Sequence, residues 1–150
     1  MVKSDGGNKR QTVQVKIAGD PNAVRDGLAC LLAGPALRNL DAEARGTVQI
    51  VLAEVLNNIV EHAYSNASGE ISIRLNQQAG GIHVVIIDQG AAFPQKEPPS
   101  GTLPQIDVMT ELPEGGFGWF LIRNLVRDLA YRRIAACNHL SFFLPLPTDQ

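Results

Sequence analysis

Glu54, Asn58 and His62 stand at steps of four in one stretch of the chain, so on a helix all three stack on one face. A carboxylate one turn before an amide suits two tasks. The amide oxygen can ligate Mg²⁺, a hard cation that prefers oxygen. The carboxylate can take a proton from an attacking hydroxyl. With Asn57 and Glu61 these residues form a polar strip, and a plain solvated helix face accounts for the same pattern without chemistry.

Two further places carry chemistry. Asp88-Gln89-Gly90 follows an apolar run. A carboxylate at a strand end can accept a hydrogen bond from a ligand amine, and Gly90 lets the backbone approach closely. An ordinary turn uses the same residue types. Gly115-Gly116-Phe117-Gly118 precedes a helical pattern. Bare amides at a helix N-terminus attract phosphate through their orphan N–H groups and the helix dipole. The segment is not a P-loop, since the Lys and the Ser or Thr of that motif are missing. A flexible hinge is the competing reading.

The elements that must position these residues follow from periodicity. Thr12 to Ile17 alternates as a half-buried strand. Asp20-Pro21 starts a helix with Asp as N-cap and Pro at the first position, and Gly34-Pro35 stops it. Asp41 caps a second helix running to about Tyr64, with Val48, Leu52, Val55, Leu56, Ile59, Val60 and Ala63 as its apolar arc. Ile71, Ile73 and Leu75 alternate as a strand, and Ala79-Gly80-Gly81 reads as a hairpin loop. Ile82 to Ile87 is nearly all apolar, as in a central strand covered on both faces or nearly so. Gln89 to Glu114 is a long, proline-rich, acidic connection of the kind that is usually functional. Trp119 to Leu129 predicts a third helix, and Leu129 to Ala136 and His139 to Leu144 predict two final strands joined near Cys137-Asn138. The order β-α-α-β-β-loop-α-β-β implies an α/β (α+β) two-layer sandwich with helices on one face.

The chain has 150 residues, enough for one domain with its own core. Its formal net charge of -2 gives no basic footprint, which argues against direct nucleic-acid binding. No apolar run approaches the ~20 residues that span a bilayer, so no membrane span is expected. The polar start, Met1 to Arg10, has no signal-peptide pattern, and a cytoplasmic protein is the expectation. Cys30 and Cys137 form no metal-ligand spacing and read as two buried thiols.

Taken together, the three places resemble the Bergerat, or GHKL, ATPase family. Glu54-x-x-x-Asn58-x-x-x-His62-Ala63-Tyr64 looks like its N-box, Asp88-x-Gly90-x-x-Phe93 its first glycine box, and Gly116-x-Gly118 with Trp119 to Ile122 its second. The intervening prolines and acids sit where the family has its ATP lid. The resemblance covers residues 11–146, leaving 1–10 as a flexible start and 147–150 as a tail. Asn57 to Tyr64, Leu112 to Gly118 and Asn138-x-Leu140-x-Phe142 are similar to the corresponding segments of bacterial anti-sigma-factor serine/threonine kinases.

The resemblance implies a Bergerat fold with a mixed, mostly antiparallel sheet, and ATP and Mg²⁺ as cofactors. Asn58 would ligate the metal and Glu54 would be the general base. Asp88 would accept from the adenine amine and Gly90 would admit the ring. Gly116 and Gly118 would shape the lid hinge and phosphate cradle. Phe93 and Phe117 join the binding set as members of the two boxes, and His62 would hydrogen-bond within its helix. Between Ala91 and Glu114 the one cation is Lys96, so phosphate charge falls mainly to Mg²⁺, the amides after Gly116 and Lys96. Trp119 replaces a usual aliphatic residue and reads as packing beneath the phosphate helix. The implied activity is a kinase that holds a sigma factor or equivalent regulator, or phosphorylates a STAS-domain antagonist. The alternative is a non-catalytic nucleotide-binding module that only sequesters its partner. A sensor histidine kinase domain fits less well, because no dimerisation helix pair precedes the boxes. Homodimerisation through the first strand and first helix is a further expectation.

Overall fold

The structure, a computed structural model, describes residues 12–64, 68–93, 97–98 and 117–147. The elements are β1 (Thr12–Ala18), α1 (Pro21–Ala33), α2 (Ala42–Ala63), β2 (Glu70–Gln78), β3 (Gly81–Asp88), α3 (Phe117–Leu125), β4 (Arg127–Ile134) and β5 (Cys137–Pro145). They form an α/β fold with an open five-stranded sheet in the order β1-β2-β3-β5-β4.

The helix starts obey their capping residues. Asp20 Oδ1 accepts from the Ala23 amide at 2.9 Å, with Pro21 opening α1. Asp41 Oδ1 accepts from the Ala44 amide at 2.7 Å, opening α2. Each carboxylate satisfies an amide that the first helical turn leaves without a partner.

All four strand pairings are antiparallel, so the mostly antiparallel sheet expected has no parallel pair among the described strands. Two helices, not one, separate β1 from β2, so the chain returns in the opposite direction. The α3 crossover leaves β4 running parallel to β3, but β5 lies between them and keeps every neighbour antiparallel.

One face of the sheet forms the core. Ile73, Ile86 and Leu140 stand in one rung, and Leu75, Val84 and Phe142 in the next, all buried. Val48, Val51, Leu52, Val55, Leu56 and Ile59 of α2 are buried in the same core. The opposite face of β3 is only half-buried at His83, Val85 and Ile87. The expectation of a strand covered on both faces is therefore corrected: the helices cover one face, and β-branched residues fill the other because they fit a half-exposed pleat.

At the end of this inner face the apolar rungs stop. Asp88 is in phase with Ile82, Val84 and Ile86, and Asn138 is in phase with Leu140, Phe142 and Leu144. The register aligns Ile71, Asp88, Asn138 and Arg133 across four strands. Two polar residues thus occupy core-facing positions, at 4% and 5% exposure.

The C-terminal hairpin differs from its sequence reading. Helix α3 ends at Leu125, β4 begins at Arg127, and the turn is Ala135–Ala136, with Cys137 and Asn138 already in β5. Both turn alanines have positive φ, 49° and 63°. Such turns normally carry Asn or Gly, so the alanines gave no signal. A register shift between Arg127 and Ala130 accompanies the positive φ of Asp128. The cysteines also differ from expectation: Cys30 is exposed on α1 and Cys137 is half-buried, both free. No helix among the described residues is long and apolar enough to cross a membrane.

Candidate functional site

Asp88 is held by one of its two oxygens. Oδ1 accepts from the Gly90 amide at 2.9 Å and from Asn138 Nδ2 at 2.8 Å. Among the described residues no donor meets Oδ2, so this oxygen is open to a ligand. Burial pushes the Asp88 carboxyl above its ordinary range; the Asn138 and Gly90 hydrogen bonds and the Arg133 and His139 charges oppose that shift in part.

Asn138 is the hub of this end of the sheet. Its Nδ2 also donates to the Ala91 carbonyl at 2.8 Å. Its Oδ1 accepts from the Tyr131 hydroxyl and from Arg133 Nη1 at 2.8 Å. Arg133 Nη1 donates again, to the Gly90 carbonyl at 2.6 Å. The segment after β3 is therefore fastened by side chains from β4 and β5.

The C-terminal end of α2 closes on the same segment. The Ala91 amide donates to the Ala63 carbonyl at 3.3 Å. A Cβ on Gly90 would sit 2.3 Å from Ala63 Cβ and 2.5 Å from its carbonyl oxygen, so only glycine allows this approach. Tyr64 accepts from the Gln89 amide at 2.9 Å and donates to the Glu70 carbonyl at 2.8 Å. Burial raises the Tyr64 pKa, partly offset by the Gln89 amide, so the hydroxyl stays protonated.

Helix α3 meets the polar strip of α2. A Cβ on Gly118 would lie 2.6 Å from Glu54 Oε2 and 3.3 Å from Asn58 Nδ2. Glycine here brings the first turn of α3 against both side chains. Asn58 Nδ2 is buried without a hydrogen-bond partner among the described residues. An orphaned buried polar atom costs about 1–3 kcal/mol, which marks a place where a ligand or water belongs.

Phe93 links the two halves. Its amide donates to the Tyr131 hydroxyl at 3.3 Å. Its ring lies edge-on to Tyr131 at 4.9 Å and to Trp119 at 5.6 Å between centroids. Trp119 is buried in the core, which accounts for an aromatic residue at that position; its Nε1 has no acceptor among the described residues.

The structure thus brings together Glu54, Asn58 and Gly118, and separately Asp88, Gly90 and Phe93, with α2 and the Phe93–Trp119 contact joining the groups. His62 is exposed and meets none of the other site residues in a hydrogen bond among the described residues. Gly116, Lys96 and the side chain of Phe117 lie outside the described residues. Asn138, Arg133 and Tyr131 were not singled out from sequence as site residues. Asn138 had a signal: a polar residue in phase with the buried face of a strand. Arg133 had none, because its register depends on the Ala135–Ala136 turn.

The residues present fit a nucleotide and a hard cation. The open Asp88 Oδ2 can accept a hydrogen bond from an amine donor. Beside the start of α3, the Glu54 carboxylate offers oxygen to a cation, and the orphaned Asn58 Nδ2 offers a donor to a phosphate oxygen; a half-turn of that amide would present its Oδ1 to a cation instead.

Residues 17–144 match the family model described as the histidine kinase-like ATPase domain, and the chain belongs to that family. Within it, the chain is similar to proteins named serine-protein kinase RsbW. The one from Oceanobacillus iheyensis is 34% identical over 122 residues, covering 78% of this chain and 76% of that one. Those from Bacillus velezensis and Bacillus subtilis are each 31% identical over 85 residues, covering 55% of this chain and 53% of theirs. The aligned part is thus about half the length of the Bacillus relatives.

Proposed function

We propose that this protein binds Mg-ATP and acts as a cytoplasmic protein serine/threonine kinase and anti-sigma factor. Its substrate would be a seryl or threonyl hydroxyl on a STAS-domain antagonist in a partner-switching system. Its second partner would be a sigma factor or equivalent regulator. The names of its relatives support this reading, and so does the order of the motifs.

The observation that carries the proposal is the seating of Gly118 against Glu54 Oε2 and Asn58 Nδ2. A carboxylate and an amide of α2 packed against the first turn of α3 support this reading. ATP would supply the transferable phosphoryl group, and Mg²⁺ would neutralise phosphate charge. In this reading Asn58 holds the metal, Glu54 takes the proton of the partner's hydroxyl, and Asp88 Oδ2 accepts from the adenine amine. Gly90 gives the ring its approach, and the first amides of α3 hold phosphate. Phosphoryl transfer depends mainly on such positioning and electrostatics.

The test is labelled Mg-ATP with the protein and candidate STAS proteins. Glu54→Ala is expected to keep ATP affinity while transfer falls about 10²–10⁴-fold. Equal rates for the two proteins remove Glu54 as base. A partner left free of phosphate after long incubation with wild type favours the sequestering module instead.

Strand β1 is an edge of the sheet, with α1 beside it. An unpaired edge with an adjacent helix supports homodimerisation through these two elements. A monomer mass by light scattering at working concentration would refute it.

A further inference from the structure

We propose that Arg133 is a positioning residue of the nucleotide site, acting through the Asn138 amide and the Gly90 carbonyl to aim Asp88 at the base. The inference rests on the nucleotide reading above and assigns a role to a residue outside the three family boxes.

The argument begins with Asn138. A side-chain amide presents an oxygen at one end and a donor at the other, and a half-turn exchanges them. The hydroxyl of Tyr131 can donate or accept, so it would tolerate either orientation. Arginine only donates. With Arg133 Nη1 at 2.8 Å, the end facing it must be Oδ1. Nδ2 then has to face Asp88 Oδ1 and the Ala91 carbonyl, each at 2.8 Å. The same guanidinium nitrogen holds the Gly90 carbonyl at 2.6 Å. One cation therefore locks the amide from its oxygen end, against the Ala91 carbonyl at its nitrogen end, and holds the path of the chain just after β3. Asp88 Oδ1 is committed to the protein, and Oδ2 remains for the ligand.

Arg133 also contributes charge. The charged and titratable groups around Asp88 are Arg133 on β4, His139 on β5 and Tyr64 at the end of α2. On β2 the opposite residue is Ile71. Of these groups, Arg133 is the one that stays cationic at every working pH, so it is the steady counterweight to burial of the carboxylate. Its side chain is exposed overall on edge strand β4, yet these bonds reach inward.

The test uses Arg133→Met and Arg133→Lys in the full chain. Mg-ATP affinity is measured by calorimetry across the acid-to-neutral range, and Asp88 titration by carboxyl NMR in the ligand-free protein. Arg133→Met is expected to weaken binding about tenfold at neutral pH, by loss of a charge-assisted hydrogen bond. Its Asp88 midpoint and the acid limb of binding should both move to higher pH. Arg133→Lys keeps the charge and should keep both near wild type, while losing part of the affinity because it lacks the planar fork. If Arg133→Met does not fold, Arg133→Gln, neutral but still a donor, serves the same comparison. An unchanged Asp88 midpoint, or an affinity loss equal at every pH and unrelieved by lysine, overturns the role of Arg133. Wild type that fails to bind Mg-ATP overturns the nucleotide reading, whatever the Asp88 titration shows.

Discussion

Asp88 and Asn138 face each other across β3 and β5 at the last rung of the core, with Asn138 Nδ2 donating to Asp88 Oδ1 at 2.8 Å. This pairing divides the carboxylate into a structural oxygen and a free one. In Asp88→Asn, the new amide oxygen can still accept from Asn138 and from the Gly90 amide. Its NH₂ then replaces Oδ2 and meets the ligand amine donor to donor. The variant should fold normally and bind ATP roughly ten- to a hundredfold more weakly, the loss of one charge-assisted hydrogen bond. Calorimetric titration with an unchanged affinity would remove Asp88 from the site.

The same carboxyl makes the protein pH-sensitive in two opposite senses. Burial raises the folded pKa of Asp88 above its unfolded value. Stability from this group is therefore full below the unfolded pKa and is lost as pH rises through the folded one. Asp88→Asn cannot ionise, so its melting temperature should gain on wild type as pH rises through that interval. In the proposed reading the ligand amine needs the carboxylate, so wild-type affinity should fall on acidification, beginning above the ordinary aspartate range. Paired melting and binding curves over the acid range check both signs, and parallel melting curves would contradict the first.

Gly118 is expected to be more important for transfer than for folding. In Gly118→Ala the added methyl meets the far end of Glu54, a flexible side chain, rather than backbone. The carboxylate shifts, and with it the geometry proposed for it as a base. Misplacement of about 1 Å at a reacting group can cost on the order of 10²-fold in rate. Phosphoryl transfer to the antagonist should drop by that order, while the melting temperature moves little. A variant with the wild-type rate would show that Glu54 needs no such placement.

The Ala135–Ala136 turn offers a gain in stability. Non-glycine residues with positive φ cost about 1–2 kcal/mol each, and Asn-Gly is the preferred pair for such two-residue turns. Replacing Ala135 with Asn and Ala136 with Gly should stabilise the protein by about 1 kcal/mol, measured by denaturant unfolding. Loss of stability would mean that the hairpin does not use a turn of this hand.

Much of the scaffold was legible in the sequence. Asp20-Pro21, Gly34 and Asp41 act on their immediate neighbours, and the apolar periods of α2, β2 and β3 mark buried faces. These are local effects, so they could be read without the fold. The spacing of Glu54 and Asn58 placed both on one helix face for the same reason. The coverage of β3 and the end of α3 were misread, because an apolar run does not say how many faces are covered, and Leu129 fits a helical period as well as a strand.

The sequence by itself determined the first two helices, their caps, the inward face of most strands and the helix-face spacing of Glu54 and Asn58. The tertiary structure alone decided that Arg133 lies level with Asn138 and Asp88, and that Gly118 rests on Glu54. Both depend on contacts between segments far apart in the chain. Strand register in particular has a period of two, so a slip of one residue would turn Arg133 to the other face. Only the pairing of β3, β5 and β4, with its two-alanine turn, fixes that choice.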